Sequence, residues 1–192
     1  MQTYTLEEMV SMTHLREQGF RYIIKELSSR DNPLILETGS SRVPDSRWGT
    51  FENNFKDDGM STLIWDAFIQ SHGGELHSVD IDPNNITYTK QYVSDMTTLY
   101  CMDSLNFLWT KRVELDEQDL YVDLLYLDSL HDPVYHLKEL CAIMPRLTKD
   151  SIVAVDDNYG KNNDRGIIIH EFMNNIGINI AFNGVQKIWK LK

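Results

Sequence analysis

Cysteine, basic charge and long apolar runs are all scarce in this chain. Its 192 residues include only two cysteines, Cys101 and Cys141, both within apolar patterns. That is too few for a disulfide framework, so a reduced, cytoplasmic setting is expected, and neither thiol has the surroundings of a catalytic group. The 18 Lys and Arg residues face 29 Asp and Glu, for a formal net charge of −11. Such a balance disfavours a nucleic-acid backbone as main partner, because that binding neutralises phosphates with basic side chains. No apolar run approaches the ~18 residues of a membrane helix. Met1-Gln2-Thr3-Tyr4 does not lead into a signal-type apolar segment. A soluble single domain spanning 1–192 is expected. A G-x-G-x-x-G turn is also missing, which removes the usual phosphate cradle of a nucleotide-binding dehydrogenase.

Alternating β and α segments are present. The capping box Thr5-Leu6-Glu7-Glu8 opens a helix expected to run to about Ser28, with Met9, Met12, Leu15, Phe20, Ile23, Ile24 and Leu27 at helical intervals. Strands are predicted at 33–38, 75–80, 97–102, 121–128 and 151–156. Helices are predicted at 61–71, 83–95, 104–111, 132–147 and 164–175, with a charged connector at 114–119. Asn183-Gly184 between two β runs, 178–182 and 185–191, marks a closing hairpin. The 40–60 stretch reads as an irregular loop, which is either a lid over a site, carrying Arg42, Arg47, Trp48, Phe51, Phe55 and Lys56, or a surface excursion.

Acidic residues end four of the apolar runs, at Glu37, Asp80, Asp128 and Asp156-Asp157. In an open parallel α/β sheet, ligands bind outside the carboxyl ends of the strands. Carboxylates there favour cationic or hydroxyl-rich ligands over phosphates. Glu37 and Gly39-Ser40 follow the first strand, where a sulfonium group asks for close backbone approach and negative charge. Asp80, with Ile81 beside it, is placed to accept both ribose hydroxyls, whereas Asp82 before Pro83 is better explained as a helix cap. Asp103 and Ser104 follow the third strand, where a carboxylate and a helix-starting N–H can read an adenine edge; Asp103 is equally suited to capping.

The ordered set Leu36-Glu37-Thr38-Gly39, Ser78-Val79-Asp80-Ile81-Asp82-Pro83, Asp103-Ser104, Asp123-Leu124-Leu125-Tyr126-Leu127-Asp128 and Val155-Asp156-Asp157-Asn158 resembles class I S-adenosylmethionine-dependent methyltransferases. Within these it is most similar to metal-dependent O-methyltransferases of the catechol and macrolide-sugar type and to the cephalosporin-hydroxylase-like branch. The resemblance implies a doubly wound, Rossmann-like seven-stranded sheet of order 3-2-1-4-5-7-6 with strand 7 antiparallel. One departure is that about twenty residues separate the first turn from Asp58-Gly59-Met60-Ser61-Thr62, which looks like its displaced second half. Gly59 and Ser61 therefore join the expected donor-binding residues, as does Asp128.

Asp128, Asp156 and Asp157 should end neighbouring strands, ~4.8 Å apart, where three carboxylates repel one another unless one is protonated or a cation binds. Mg²⁺ is the expected ion, with another divalent cation as the alternative, and the resemblance implies metal ligands at the same positions. His131, three residues past Asp128, is the expected general base, against a plain surface histidine; His136 is expected to be structural. Tyr159, Lys161 and Asn162 are candidate acceptor-pocket residues. The expected activity is methyl transfer from S-adenosylmethionine to a hydroxyl of a small molecule, with neither nucleic acid nor membrane as partner and self-association left open. The rival readings are a non-catalytic S-adenosylmethionine-binding partner protein and a hydroxylase-like, iron-using enzyme on the same fold.

Overall fold

The computed structural model describes residues 4–42, 51–58, 60–159 and 164–191. Strands β1 (Leu34–Thr38), β2 (Glu75–Asp80), β3 (Thr97–Cys101), β4 (Val122–Leu127), β5 (Leu147–Val155), β6 (Ile180–Asn183) and β7 (Lys187–Lys190) form one sheet of order β3-β2-β1-β4-β5-β7-β6. Strands β1 to β5 pair in parallel, and β7 is antiparallel to both β5 and β6. This is the predicted order and sense.

The central strands are apolar throughout because both of their faces are covered. Ile35, Leu124, Tyr126, Ile152 and Ile188 pack with α1 (Leu6–Met12), α2 (Glu17–Leu27), α3 (Phe51–Asp58) and α4 (Ser61–His72). Their neighbours Leu36, Leu125, Val153 and Trp189 pack on the other face with α6 (Ser104–Gln118), α7 (Pro133–Ile143) and α8 (Ile167–Asn175). A two-residue side-chain period thus feeds two cores from one sheet. The short α5 (Pro83–Thr89) joins β2 to β3. None of the described helices is long and apolar enough to cross a membrane. Both cysteines are free and exposed.

Several predicted boundaries are corrected. The N-terminal helix is two helices, separated by a 3₁₀ turn at His14–Arg16 in which His14 has φ +50°. The turn reverses the expected burial, leaving Leu15 71% exposed and Arg16 only 4% exposed. The stretch 114–118 is the last part of α6, not a connector. Its charges lie on a solvated face, where Lys111–Glu114 and Arg112–Asp116 pair at helical spacing. Helix α5 stops at Thr89 and α7 at Ile143, while β5 begins earlier than predicted, at Leu147. Within 40–60, α3 buries Phe55 and Asn54, so this part belongs to the core rather than to an irregular loop. Arg47, Trp48, Gly59, Lys161 and Asn162 lie outside the described residues.

Candidate functional site

Sheet register brings the acidic strand ends to one rim. Gly39 N–H donates to Val79 O at 2.8 Å, Asp128 N–H to Thr38 O at 2.8 Å, Asp156 N–H to Leu127 O at 3.0 Å and Met102 N–H to Asp80 O at 3.1 Å. Each chain leaves the sheet at nearly the same level, and a cavity of about 330 Å³ lies there. That volume is at the lower end of the ~300–1,000 Å³ common for small-ligand pockets.

Eight of the ten expected donor-site residues line it: Gly39, Ser40, Ser61, Asp80, Ile81, Asp103, Ser104 and Asp128. Gly59 lies outside the described residues. Glu37 is the departure, since it is fully buried and is not among the lining residues. Its Oε2 accepts hydrogen bonds from Ser78 Oγ at 2.6 Å and Thr62 Oγ1 at 2.7 Å. Burial pushes its pKa up to about 7 despite these hydrogen bonds. Glu37 is thus held behind the turn through Oε2, while its Oε1 is buried with no hydrogen-bond partner among the described residues.

Asp80 holds its place by accepting Asp82 N–H at 2.8 Å and Asn85 Nδ2 at 3.2 Å, which leaves acceptor capacity facing the cavity. Asp82 caps α5 through Asn84 N–H, as expected. Asp103 does two things. Its Oδ1 caps α6 through Asn106 N–H at 3.1 Å, and its Oδ2 accepts Tyr135 Oη at 2.7 Å. The Tyr135 hydrogen bond, chiefly, lowers the Asp103 pKa. Tyr135 was missed from sequence, although its place two residues into the helix opened by Asp132-Pro133 put it on the rim side. Ser41, Arg42, Met102 and Leu130 are further lining residues. The Ser40 and Ser41 hydroxyls are buried and have no hydrogen-bond partner among the described residues. Orphaned hydroxyls beside Gly39, carboxylates at two strand ends and apolar Val79, Ile81, Met102 and Leu130 fit a nucleoside with a cationic, amino-acid-bearing tail.

The expected metal residues converge, but in a different chemical state from the one foreseen. Arg16, from the 3₁₀ turn, donates from Nε to Asp156 Oδ2 at 2.8 Å and from Nη2 to Asp157 Oδ1. Arg165 donates from Nη1 to Asp128 Oδ1 at 2.8 Å and from Nη2 to Asp157 Oδ2. Asp156 Oδ1 accepts Asp157 N–H at 2.8 Å. Five of the six carboxylate oxygens are thus engaged by protein donors. Burial opposes the charge on Arg16, yet Asp156, Tyr159 and Asp157 hold its pKa above the usual value. Burial, and next Asp156, push Asp128 upward; burial also raises Asp156, with Arg16 opposing it. Among the described residues no group of three or more His, Cys, Asp or Glu side chains is arranged to hold a metal ion. A resident divalent cation does not fit this arrangement. A divalent ion draws its ligands from such carboxylate oxygens, and here it would have to displace both guanidinium groups to reach them.

His131 reaches the same cluster. Its Nε2 is in hydrogen-bond contact with Arg165 Nη2 and lies 3.9 Å from Asp157 Oδ2. Desolvation and then Arg165 lower its pKa, which favours the neutral ring. The Nε2 lone pair accepts from the guanidinium here, so a base role requires an acceptor hydroxyl to take that position. His136 is fully buried with Nδ1 3.0 Å from Glu139 Oε2 and is not among the cavity-lining residues. Arg16 and Arg165 carried no sequence signal, since each lies far along the chain from most of its partners.

A family profile described as "Methyltransferase domain" matches residues 57–158, more than half of the chain. No curated protein matches. Among solved structures, CalS11, a TDP-rhamnose 3'-O-methyltransferase of calicheamicin biosynthesis, superposes with TM-score 0.66 at 16% identity, covering 93% of this chain and 79% of its own. MycE, a methyltransferase of the mycinamycin biosynthetic pathway solved with Mg and SAH, gives TM-score 0.64 at 13% identity over 98% of this chain. This chain spans only 55% of the MycE chain. SAH-bound PaMTH1 from Podospora anserina gives TM-score 0.59 at 16% identity, covering 97% and 87%. By the profile match the chain belongs to the methyltransferase-domain family, and its sheet order is that of the class I fold.

Proposed function

We propose that this chain is an S-adenosylmethionine-dependent O-methyltransferase acting on a small hydroxylated molecule such as a sugar, a catechol-like ring or a natural-product intermediate. One observation carries the reading: a single cavity joins Asp80 and Asp103, at the ends of β2 and β3, to orphaned Ser40 and Ser41 hydroxyls and to Asp128, which opens the segment carrying His131. Asp80 accepts the ribose hydroxyls, Asp103 with Tyr135 reads the adenine edge, and Ser40, Ser41 and Arg42 hold the amino-acid tail. When bound, the donor supplies a methyl group on positively charged sulfur. His131 Nε2 accepts the acceptor's hydroxyl proton once that hydroxyl replaces the Arg165 N–H. The sugar substrate of CalS11 and the mycinamycin pathway of MycE support a hydroxyl-bearing acceptor.

Calorimetric titration with S-adenosylhomocysteine and with NAD tests the donor site. Binding of the first and not the second is expected, and the reverse would overturn the assignment. Transfer of a labelled methyl group across a panel of sugars, catechols and macrolides then tests catalysis. Tight donor binding with no transfer to any of them would favour a non-catalytic partner protein.

A further inference from the structure

The three carboxylates at the ends of β4 and β5 carry three formal negative charges, and two buried guanidinium groups answer them. Arg16 is 4% exposed and Arg165 2% exposed, and both lie in the cluster with their planar forks against the acids. Asp157 is the shared member, with Arg16 on one oxygen and Arg165 on the other. Its backbone has φ +59°, a left-handed conformation that places its carboxylate between the two arginines. The N-terminal segment is itself broken at His14–Arg16, and this break is what carries Arg16 to residues about 140 positions away. Two unusual backbone conformations from separate parts of the chain thus serve one charge cluster. Surface arginines need no such arrangement.

We propose that Arg16 and Arg165 do here the charge-neutralising work of a divalent cation, so that Asp128, Asp156 and Asp157 form a metal-free centre and methyl transfer proceeds without added metal. The proposal rests on the methyltransferase reading for its second half only. Guanidinium forks match carboxylates two oxygens at a time and stay charged when buried, which suits a fixed structural cation. Arg165 also donates to His131 Nε2 and holds the ring at the cluster until an acceptor hydroxyl takes that position, so the same cation that neutralises the acids places the candidate base beforehand. Arg165 is a positioning residue in this scheme.

The test uses Mn²⁺ as the probe, followed by electron paramagnetic resonance on the chelator-treated chain, which reads metal binding independently of activity. The wild-type chain is expected to bind no Mn²⁺ at this centre up to about 1 mM, the weak end of protein sites for divalent ions. Arg165→Gln, and separately Arg16→Gln, should acquire a Mn²⁺ site at least about tenfold tighter than any in the wild type, a gain of ~1.4 kcal/mol. That site should disappear when Asp157→Asn is added. Wild-type binding abolished by Asp157→Asn overturns the proposal, as does a folded Arg165→Gln chain that gains no site. Wild-type binding that survives Asp157→Asn places the ion elsewhere and leaves the proposal standing. If an arginine variant does not fold, the wild-type and Asp157→Asn titrations decide. S-adenosylhomocysteine calorimetry on the same samples separates failure of the donor assignment from failure of the metal-free centre.

Discussion

Thr62 Oγ1 donates a 2.7 Å hydrogen bond to Glu37 Oε2 and accepts another, at 2.8 Å, from Ser41 N–H. These contacts join the start of α4 to the loop leaving β1, across an interruption of about twenty residues. The two halves of this turn are far apart in sequence and adjacent in space because one buried carboxyl group serves both. Ser78 Oγ on β2 completes the node.

Glu37 should give the fold a pH dependence of unusual sign. Its pKa is raised from an ordinary carboxylate value of 4.5 to about 7 in the folded chain, so between those values the folded state holds a proton that the unfolded state has lost. Its contribution is fully present at low pH and is lost as pH rises through about 7. The shift corresponds to roughly 3 kcal/mol. Urea unfolding of the wild type and Glu37→Gln at pH 5 and pH 8 should show a larger fall between the two pH values in the wild type, because Asp128 and Asp156, also raised by burial, remain in the variant. Equal pH slopes for both proteins would refute the protonated-carboxyl reading.

Asp80→Ala should weaken S-adenosylhomocysteine binding by about 10- to 100-fold, the effect of losing one or two charge-assisted hydrogen bonds. Tyr135→Phe removes the hydroxyl that donates to Asp103 and should cost a smaller factor, about threefold to tenfold. Calorimetry on both variants, with circular dichroism to confirm folding, checks the order. A Tyr135→Phe loss larger than that of Asp80→Ala would shift the main donor contact from β2 to the α6 start.

His131→Ala should lower kcat by about 100-fold or more and leave S-adenosylhomocysteine affinity unchanged, since His131 is half-exposed and not among the cavity-lining residues. Steady-state kinetics alongside calorimetry separates the two effects. Retained kcat would assign the proton acceptor to another group.

The parts legible from sequence were those whose causes are local. Uninterrupted apolar runs named the central strands, and Asp82-Pro83 and Asp132-Pro133 named the helix starts, because a cap and an N1 proline act within one turn. Convergence of Asp80, Asp103 and Asp128 followed from strand ends. What stayed hidden depends on distant partners. Apolar spacing runs straight through Leu15, yet Arg16 is the residue turned inward, since its partners Asp156 and Asp157 lie about 140 positions along the chain. The same holds for Arg165 between Asp128 and Asp157, which is why the cluster of acids was legible in the sequence and its guanidinium neighbours were not. Charged residues 114–118 read as a connector because a solvated helix face and a polar loop share a composition.

Gly39 shows how a residue named for a ligand can be required by the chain itself. It was assigned from the close approach of a ligand, and it does line the cavity. Yet a Cβ built on it would meet Asp128 O at 2.2 Å and Asp128 C at 2.6 Å, and its φ is +86°. Both contacts are backbone atoms of the neighbouring strand end, which cannot swing aside as a flexible side chain does. Gly39→Ala must therefore push the loop after β1 away from β4 or strain both. Destabilisation of about 2 kcal/mol or more is expected from the combined clash and left-handed backbone. Because Asp128 opens the segment leading to His131, donor affinity and turnover should fall together. Thermal unfolding and calorimetry on Gly39→Ala check this, and a variant with wild-type stability but no donor binding would return the glycine to the ligand alone.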